Sequence, residues 1–259
     1  MLFRSLGELT QNEKLLGVLT GQWGDHGLPP ERSSFAMHAM VARHYLDGGN
    51  YPVGGSRMIA EYATDLIEKL GGKVVVSTGV DEILVHGGKV TGVRLENGNE
   101  LFADKVVSSA GLVNTVNTFL RNQPQFSKFK SKLKKVQPTE SYLCLYIGLK
   151  KSAKELGLKT TNLWIYPGYN HDKNIADYQQ DPDGDFPVVY VSFPSAKDPD
   201  WDKNHPGCAT MEAITLGRWE WVEKWDKKPW KKRGNEYENF KEEISRSEER
   251  RVGKECRSR

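Results

Sequence analysis

The chain has 259 residues, with 37 Lys and Arg against 34 Asp and Glu, and three Cys. Three cysteines give no disulfide framework for this length, and no apolar run approaches the roughly 18 residues that a membrane-spanning helix needs. A formal charge of +3 is no electrostatic footprint for nucleic acid, so no nucleic-acid partner is expected.

Residues 1–21 carry Leu2, Leu6, Leu9, Leu15, Leu16 and Leu19 at helical spacing, without the charged and then apolar regions of a signal peptide. A turn follows at Gly24 to Pro30. Ser33 or Ser34 then caps a helix that runs to about Leu46 and stops at Gly48-Gly49. Tyr51-Pro52-Val53-Gly54-Gly55 is too rich in glycine to be regular. The spacing of Ile59, Tyr62, Ala63, Leu66, Ile67 and Leu70 predicts a helix over 56–70 with one buried stripe. Residues 73–77 read as a short strand, its continuous Val-Val-Val fitting a sheet buried on both faces. Residues 80–102 predict an antiparallel meander, with two-residue turns at Gly87-Gly88 and Asn97-Gly98. Residues 104–108 predict another strand, ending in Ser109-Ala110-Gly111.

Beyond this point strand-like runs at 140–149, 159–166, 186–193 and 208–215 alternate with polar loops at 170–185 and 195–206. Residues 218–244 read as mostly helical, with a break at Pro229.

No metal site is expected, because no CxxC or HExxH occurs and His38 and His44 fall on different faces of their helix. No GxSxG elbow marks a nucleophile, and no acid or base is singled out, so the catalytic residues are left unassigned. No GxGxxG or GxxxxGK[ST] occurs either. Trp219, Trp221, Trp225, Trp230 and Tyr237 lie among lysines. The interspersed Glu220, Glu223, Asp226, Glu236 and Glu238 favour a helical or membrane-facing surface over one that stacks nucleic-acid bases.

The order of features over 51–111 is glycine turn, helix, Gly-Gly, Val-rich strand, meander, returning strand and small-residue turn. Its residues YPVGGSRMIAEYATDLIEKLGGKVVVSTGVDEILVHGGKVTGVRLENG and ADKVVSSAG resemble the second FAD-contacting segment of the amine oxidase and phytoene desaturase superfamily. The flanking GDHGLPPERSSFAMHAMVARHYLDGG, YIGL and FPSAKDP resemble its retinol saturase and carotenoid isomerase branch.

The resemblance implies a mixed α/β and α+β fold, in which a partial FAD-binding Rossmann-like domain is intertwined with a substrate domain of antiparallel sheet and helices. The expected division is 1–48 substrate-domain helices, 49–120 FAD-binding domain, 121–245 substrate domain and 246–259 tail. It also implies FAD contacts at Val80, through its backbone, at the small residues Ser109, Ala110 and Gly111, and at Gly54 and Gly55. Tyr51, His38 and Tyr45 are candidates for lining a substrate cavity.

The implied activity is saturation, desaturation or isomerisation of carbon–carbon double bonds in an apolar polyene lipid, with NAD(P)H as a candidate electron donor. A cytoplasmic or peripheral membrane-associated location is expected. One alternative is a non-enzymatic binder of a GTPase and its lipid tail, as in the Rab GDP-dissociation inhibitors that share the fold. The other is an inactive fragment.

The superfamily's upstream GxGxxG unit is missing from the chain, which therefore reads as the middle of a longer enzyme. The tail 246–259, RSEERRVGKECRSR, holds the whole excess charge. It resembles the translation of a common sequencing adapter and is expected to be artefactual and disordered.

Overall fold

The computed structural model describes residues 2–136, 141–181, 184–229 and 231–257; of 2, 3 and 247–257 it describes the backbone alone. Trp230 lies outside the described residues. Two compact units are present: Met1–Ala60 together with Thr139–Arg259, and Glu61–Pro138. The division thus falls at 60/61 and 138/139 rather than at the expected 48/49 and 120/121.

The first unit opens with α1 (Leu2–Gly7), α2 (Glu13–Thr20) and α3 (Phe35–Tyr45). Asn12 caps α2 by accepting the Leu15 N–H at 3.1 Å, which satisfies one of the free donors at a helix start. Ser34 precedes α3 without a side-chain cap bond. Helix α4 (Arg57–Lys69) follows the Tyr51–Gly55 turn.

The second unit holds the expected meander: β1 (Val80–His86), β2 (Lys89–Leu95) and β3 (Glu100–Phe102), antiparallel in that order. Ile83 of β1 is buried, as are Val116 and Leu120 of the turn structure that follows the short α5 (Leu112–Asn114) and Leu133 of α6 (Ser127–Leu133). Glu82 is buried too, and it is satisfied by ion pairing with Arg94 and a 3.1 Å hydrogen bond from Asn122. A buried carboxylate persists only with such partners.

Three expectations fail here. Residues 73–77 and 104–108 are not strands. Val74, Val75 and Val76 are exposed, and Val107 is 97% exposed. An extended segment becomes a strand only by hydrogen bonding to a neighbouring strand, and none of the described strands forms a ladder with these. The apolar stripe of α4 is likewise exposed at Ile59, Tyr62, Leu66 and Ile67. The period of a helix sets which residues share a face, but not whether anything covers it.

The first unit continues with the four-stranded sheet β4 (Ser141–Leu149), β5 (Leu163–Ile165), β6 (Val189–Ser192) and β7 (Ala209–Gly217), ordered β4-β7-β6-β5 and antiparallel throughout. β4 and β7 pair without a break from Ser141↔Gly217 to Leu149↔Ala209. Along β4 the partly buried Leu143, Leu145, Ile147 and Leu149 alternate with exposed residues, the period of a sheet wet on one face.

Residues 171–180, expected as loop, form α7 (His171–Gln180). Asn170 caps it through the Lys173 N–H at 3.0 Å, and Ile175 and Tyr178 enter the core beside Trp23, Phe186, Val191 and Ala213. The 195–206 loop contains the single turns α8 (Pro194–Lys197) and α9 (Trp201–Asn204).

Trp225 is buried after α10 (Trp219–Val222), with the Tyr237 ring of α11 (Asn235–Arg257) edge-on to it at 5.1 Å and the Phe240 ring tilted against it at 5.5 Å. These rings are spent on packing. The tail expected to be disordered is helical as far as Arg257. Arg and Glu are good helix formers, and Arg246 pairs with Glu242 one turn back at 2.6 Å.

Candidate functional site

Two segments far apart in sequence meet in the first unit. Asp198, at the end of α8, is 8% exposed. Its Oδ1 accepts the Gly54 N–H at 3.0 Å and the Asp200 N–H at 3.1 Å. This clamps the Tyr51–Gly55 turn to the FPSAKDP turn. Gly54 and Gly55 adopt φ of +85° and +86°, a left-handed backbone that only glycine takes without strain. The preceding Lys197 holds its ammonium 6.0 Å from the centre of the Tyr51 ring.

Beside this clamp lies a cavity of about 790 Å³. Its aromatic walls are Tyr45 from the end of α3, Tyr51, Trp164 of β5 and Tyr190 of β6. Gln22, Asp25, Asn50, Asn162 and Lys197 add polar groups. Trp164 and Tyr190 meet edge to face at 4.8 Å, a favoured ring geometry.

Partial burial perturbs the groups facing this cavity. It holds the Asp25 carboxyl above the usual carboxylate range, an effect that the charge of His38 partly offsets. It lowers the Lys197 ammonium, against the pull of Glu212. The Tyr51 phenol is raised, chiefly by burial and then by Asp198 and Glu212, so it stays protonated. Perturbed groups in a cleft with aromatic walls mark a candidate binding site.

Of the three cavity candidates, Tyr51 and Tyr45 line this cavity and His38 does not. His38 is buried in α3 and serves a different network. Its Nε2 lies 2.8 Å from the Leu19 carbonyl and its Nδ1 lies 3.2 Å from His26 Nε2. His26 Nδ1 lies 3.2 Å from Ser33 Oγ, which donates to the Leu28 carbonyl at 2.6 Å. Both ends of this chain of four contacts are carbonyls. Burial, and then the charge of His38, lower His26 below the usual imidazole range.

In the second unit Val80 opens β1, half-buried. Ser109, Ala110 and Gly111 are exposed at the start of α5. Gly111 has φ +85° and nothing within 4 Å of the place where a Cβ would stand. Ser108 Oγ and Thr115 Oγ1 join across the turn at 2.7 Å, and Thr115 Oγ1 donates to the Gly111 carbonyl at 2.8 Å. Small residues with an open, approachable backbone suit close contact with a nucleotide cofactor.

Among the described residues no group of three His, Cys, Asp or Glu side chains could hold a metal ion. Reading the sequence did not identify Asp25, Trp164, Tyr190, Lys197 or Asp198 as site residues. The FPSAKDP string contains two of them, but nothing in it marks Gly54 as the partner of Asp198.

Residues 10–203 match the family described as flavin containing amine oxidoreductase. An all-trans-retinol 13,14-reductase of Danio rerio is 36% identical over 92% of this chain and 40% of its own length. A phytoene desaturase of Neurospora crassa is 30% identical over 76% of this chain and 34% of its own. The chain therefore spans about 40% or less of the length of these relatives. The crystal structure of an oxidoreductase from Methanosarcina mazei superposes with a TM-score of 0.64 at 18% identity, covering 87% of this chain and 49% of that one. It shows a shared fold, in agreement with the mixed α/β class. The GTPase-binding alternative finds no support in these comparisons. From the match over three quarters of its residues, the chain belongs to the flavin containing amine oxidoreductase family.

Proposed function

We propose that this chain is part of an FAD-dependent oxidoreductase that saturates, desaturates or isomerises carbon–carbon double bonds of a polyene lipid, of the retinol saturase type. The observation that carries this reading is the aromatic cavity of about 790 Å³ at the meeting of the Tyr51–Gly55 and FPSAKDP turns. Flat aromatic walls suit a flat conjugated chain, and the cavity volume exceeds that of a C20 polyene.

In the second unit Val80, Ser109, Ala110 and Gly111 are the positions assigned to FAD; in the first unit Gly54 and Gly55 are assigned the same cofactor. When bound, the flavin supplies the electron or hydride chemistry. The chain's own residues orient the substrate and line its cavity. Tyr45, Tyr51, Trp164 and Tyr190 hold the polyene plane. The Asp198 clamp fixes the backbone of the glycine turn. The protonated Tyr51 phenol is a neutral donor in the wall.

NAD(P)H is the proposed electron donor, and peripheral membrane association is the proposed route to an apolar substrate. No helix among the described residues is long and apolar enough to cross a membrane.

The chain contains no GxGxxG, the strand–turn–helix unit that cradles a pyrophosphate. It is therefore expected to bind FAD weakly and not to turn over as it stands. A purified chain that is yellow, with near one equivalent of flavin, would contradict this. The binding half is tested by quenching of tryptophan fluorescence on titration with all-trans-retinol. Saturable binding that Thr161→Trp, placed in the cavity wall, weakens tenfold or more supports the reading. No saturable binding to wild type refutes it.

A further inference from the structure

The curated relatives divide by the chemistry of the substrates they are named for. Retinol is a polyene ending in a hydroxyl, whereas phytoene is a hydrocarbon. One residue in the cavity bears on that division. An ammonium carries three N–H donors and no acceptor. Lys197 Nζ donates to two neutral oxygens, Asn162 Oδ1 and Ser192 Oγ, the latter at 2.8 Å. Among the described residues no carboxylate stands within ion-pair distance of it. Glu212 is felt only through space, and the Tyr51 ring adds a cation–π contact. Two of its three N–H donors are thus used by protein oxygens, and the third is left to the half-open cavity that the lysine lines.

A ligand that enters strips water from this charged donor at a cost, and a ligand oxygen relieves that cost. A hydrocarbon cannot relieve it. Resting on the polyene reading above, we infer that Lys197 is the specificity residue of this cavity, and that it selects polyenes ending in an oxygen over hydrocarbon polyenes. The shared chemistry is an acceptor oxygen, whether hydroxyl or carboxylate. Hydrogen bonds to charged groups and unsatisfied polar partners together set the scale of the discrimination at tenfold or more.

The test uses the whole chain and three probes of one size: all-trans-retinol, its 15-deoxy hydrocarbon and all-trans-retinoate. Dissociation constants are read by tryptophan quenching for wild type, Lys197→Met and Lys197→Arg. Wild type is expected to bind retinol and retinoate at least tenfold more tightly than the hydrocarbon. Lys197→Met shrinks that gap to less than threefold by weakening the two oxygenated ligands alone, with the larger loss for retinoate. Lys197→Arg keeps most of the gap.

Equal affinity of wild type for retinol and the hydrocarbon overturns the inference and leaves the polyene reading standing. So does an undiminished gap in a Lys197→Met variant whose near-ultraviolet circular dichroism matches wild type. Binding of none of the three by wild type overturns both. The wild-type ratio needs no variant, so misfolding of Lys197→Met cannot rescue the inference.

Discussion

Replacing Asp198 by Ala removes one oxygen that two backbone N–H groups share. Both bonds, to Gly54 and to Asp200, end on the same Oδ1, at 3.0 and 3.1 Å, in a residue 8% exposed. A hydrogen bond to a charged acceptor is worth about 1.5 kcal/mol at the low end of its range, which applies beside an open cavity, so the pair is worth about 3 kcal/mol. For a chain of this size that lowers Tm by about 6–12 °C. The same figure corresponds to roughly a hundredfold faster amide exchange at Gly54 and Asp200.

Asp198→Asn separates the clamp from generic destabilisation. The amide keeps an oxygen at the Oδ1 position and loses only the charge, so its cost is about 1 kcal/mol. Thermal unfolding and hydrogen exchange resolved at Gly54 measure both variants. The reasoning fails if Gly54 keeps its protection in Asp198→Ala, or if Asp198→Asn is as damaging as Asp198→Ala.

Gly17→Ala in α2 places a Cβ 2.6 Å from the Tyr169 carbonyl oxygen and 2.8 Å from Tyr169 Cβ. The roughly 1 kcal/mol that alanine gains in an open helix is expected to turn into a loss of about 1–3 kcal/mol from overpacking, and a rise in Tm would refute the packing. His171 is lowered mainly by burial, against a hydrogen bond to Gly17 and the charge of Asp172, and its Nδ1 has no partner among the described residues; burial also lowers His26. The unfolded chain takes up these protons at about pH 6.5 and the folded one only below it, so stability should fall as pH drops below that point. Urea unfolding between pH 7.5 and 5.5 checks the sign, and His171→Gln should flatten the slope. Val76→Lys, at a position 76% exposed, should change stability by no more than about 0.5 kcal/mol; a loss above about 2 kcal/mol would mean that residues 73–77 are a buried strand.

What the sequence determined by itself is what short-range chemistry controls. The meander over 80–102 was legible because Gly87-Gly88 and Asn97-Gly98 set its turns without reference to the rest of the chain. Helix α4 was legible because its apolar residues repeat at 3.6. Helix α7 was missed because its polar sequence hides the pattern, although Asn170 and the Ile175–Tyr178 spacing were local signals for it. The family likeness rested on the order of local features over 51–111, and so it too was available from sequence.

Tertiary structure alone decided which faces are covered and which distant residues share a site. The stripe of α4 and the Val74–Val76 run are exposed because burial belongs to the neighbours, not to the segment. Asp198 reaches Gly54 across 144 residues. Lys197, Tyr51, Trp164 and Tyr190 come from four separate segments to wall one cavity. No local periodicity encodes such a meeting, because it is the antiparallel order β4-β7-β6-β5 that brings the ends of those segments to the same place.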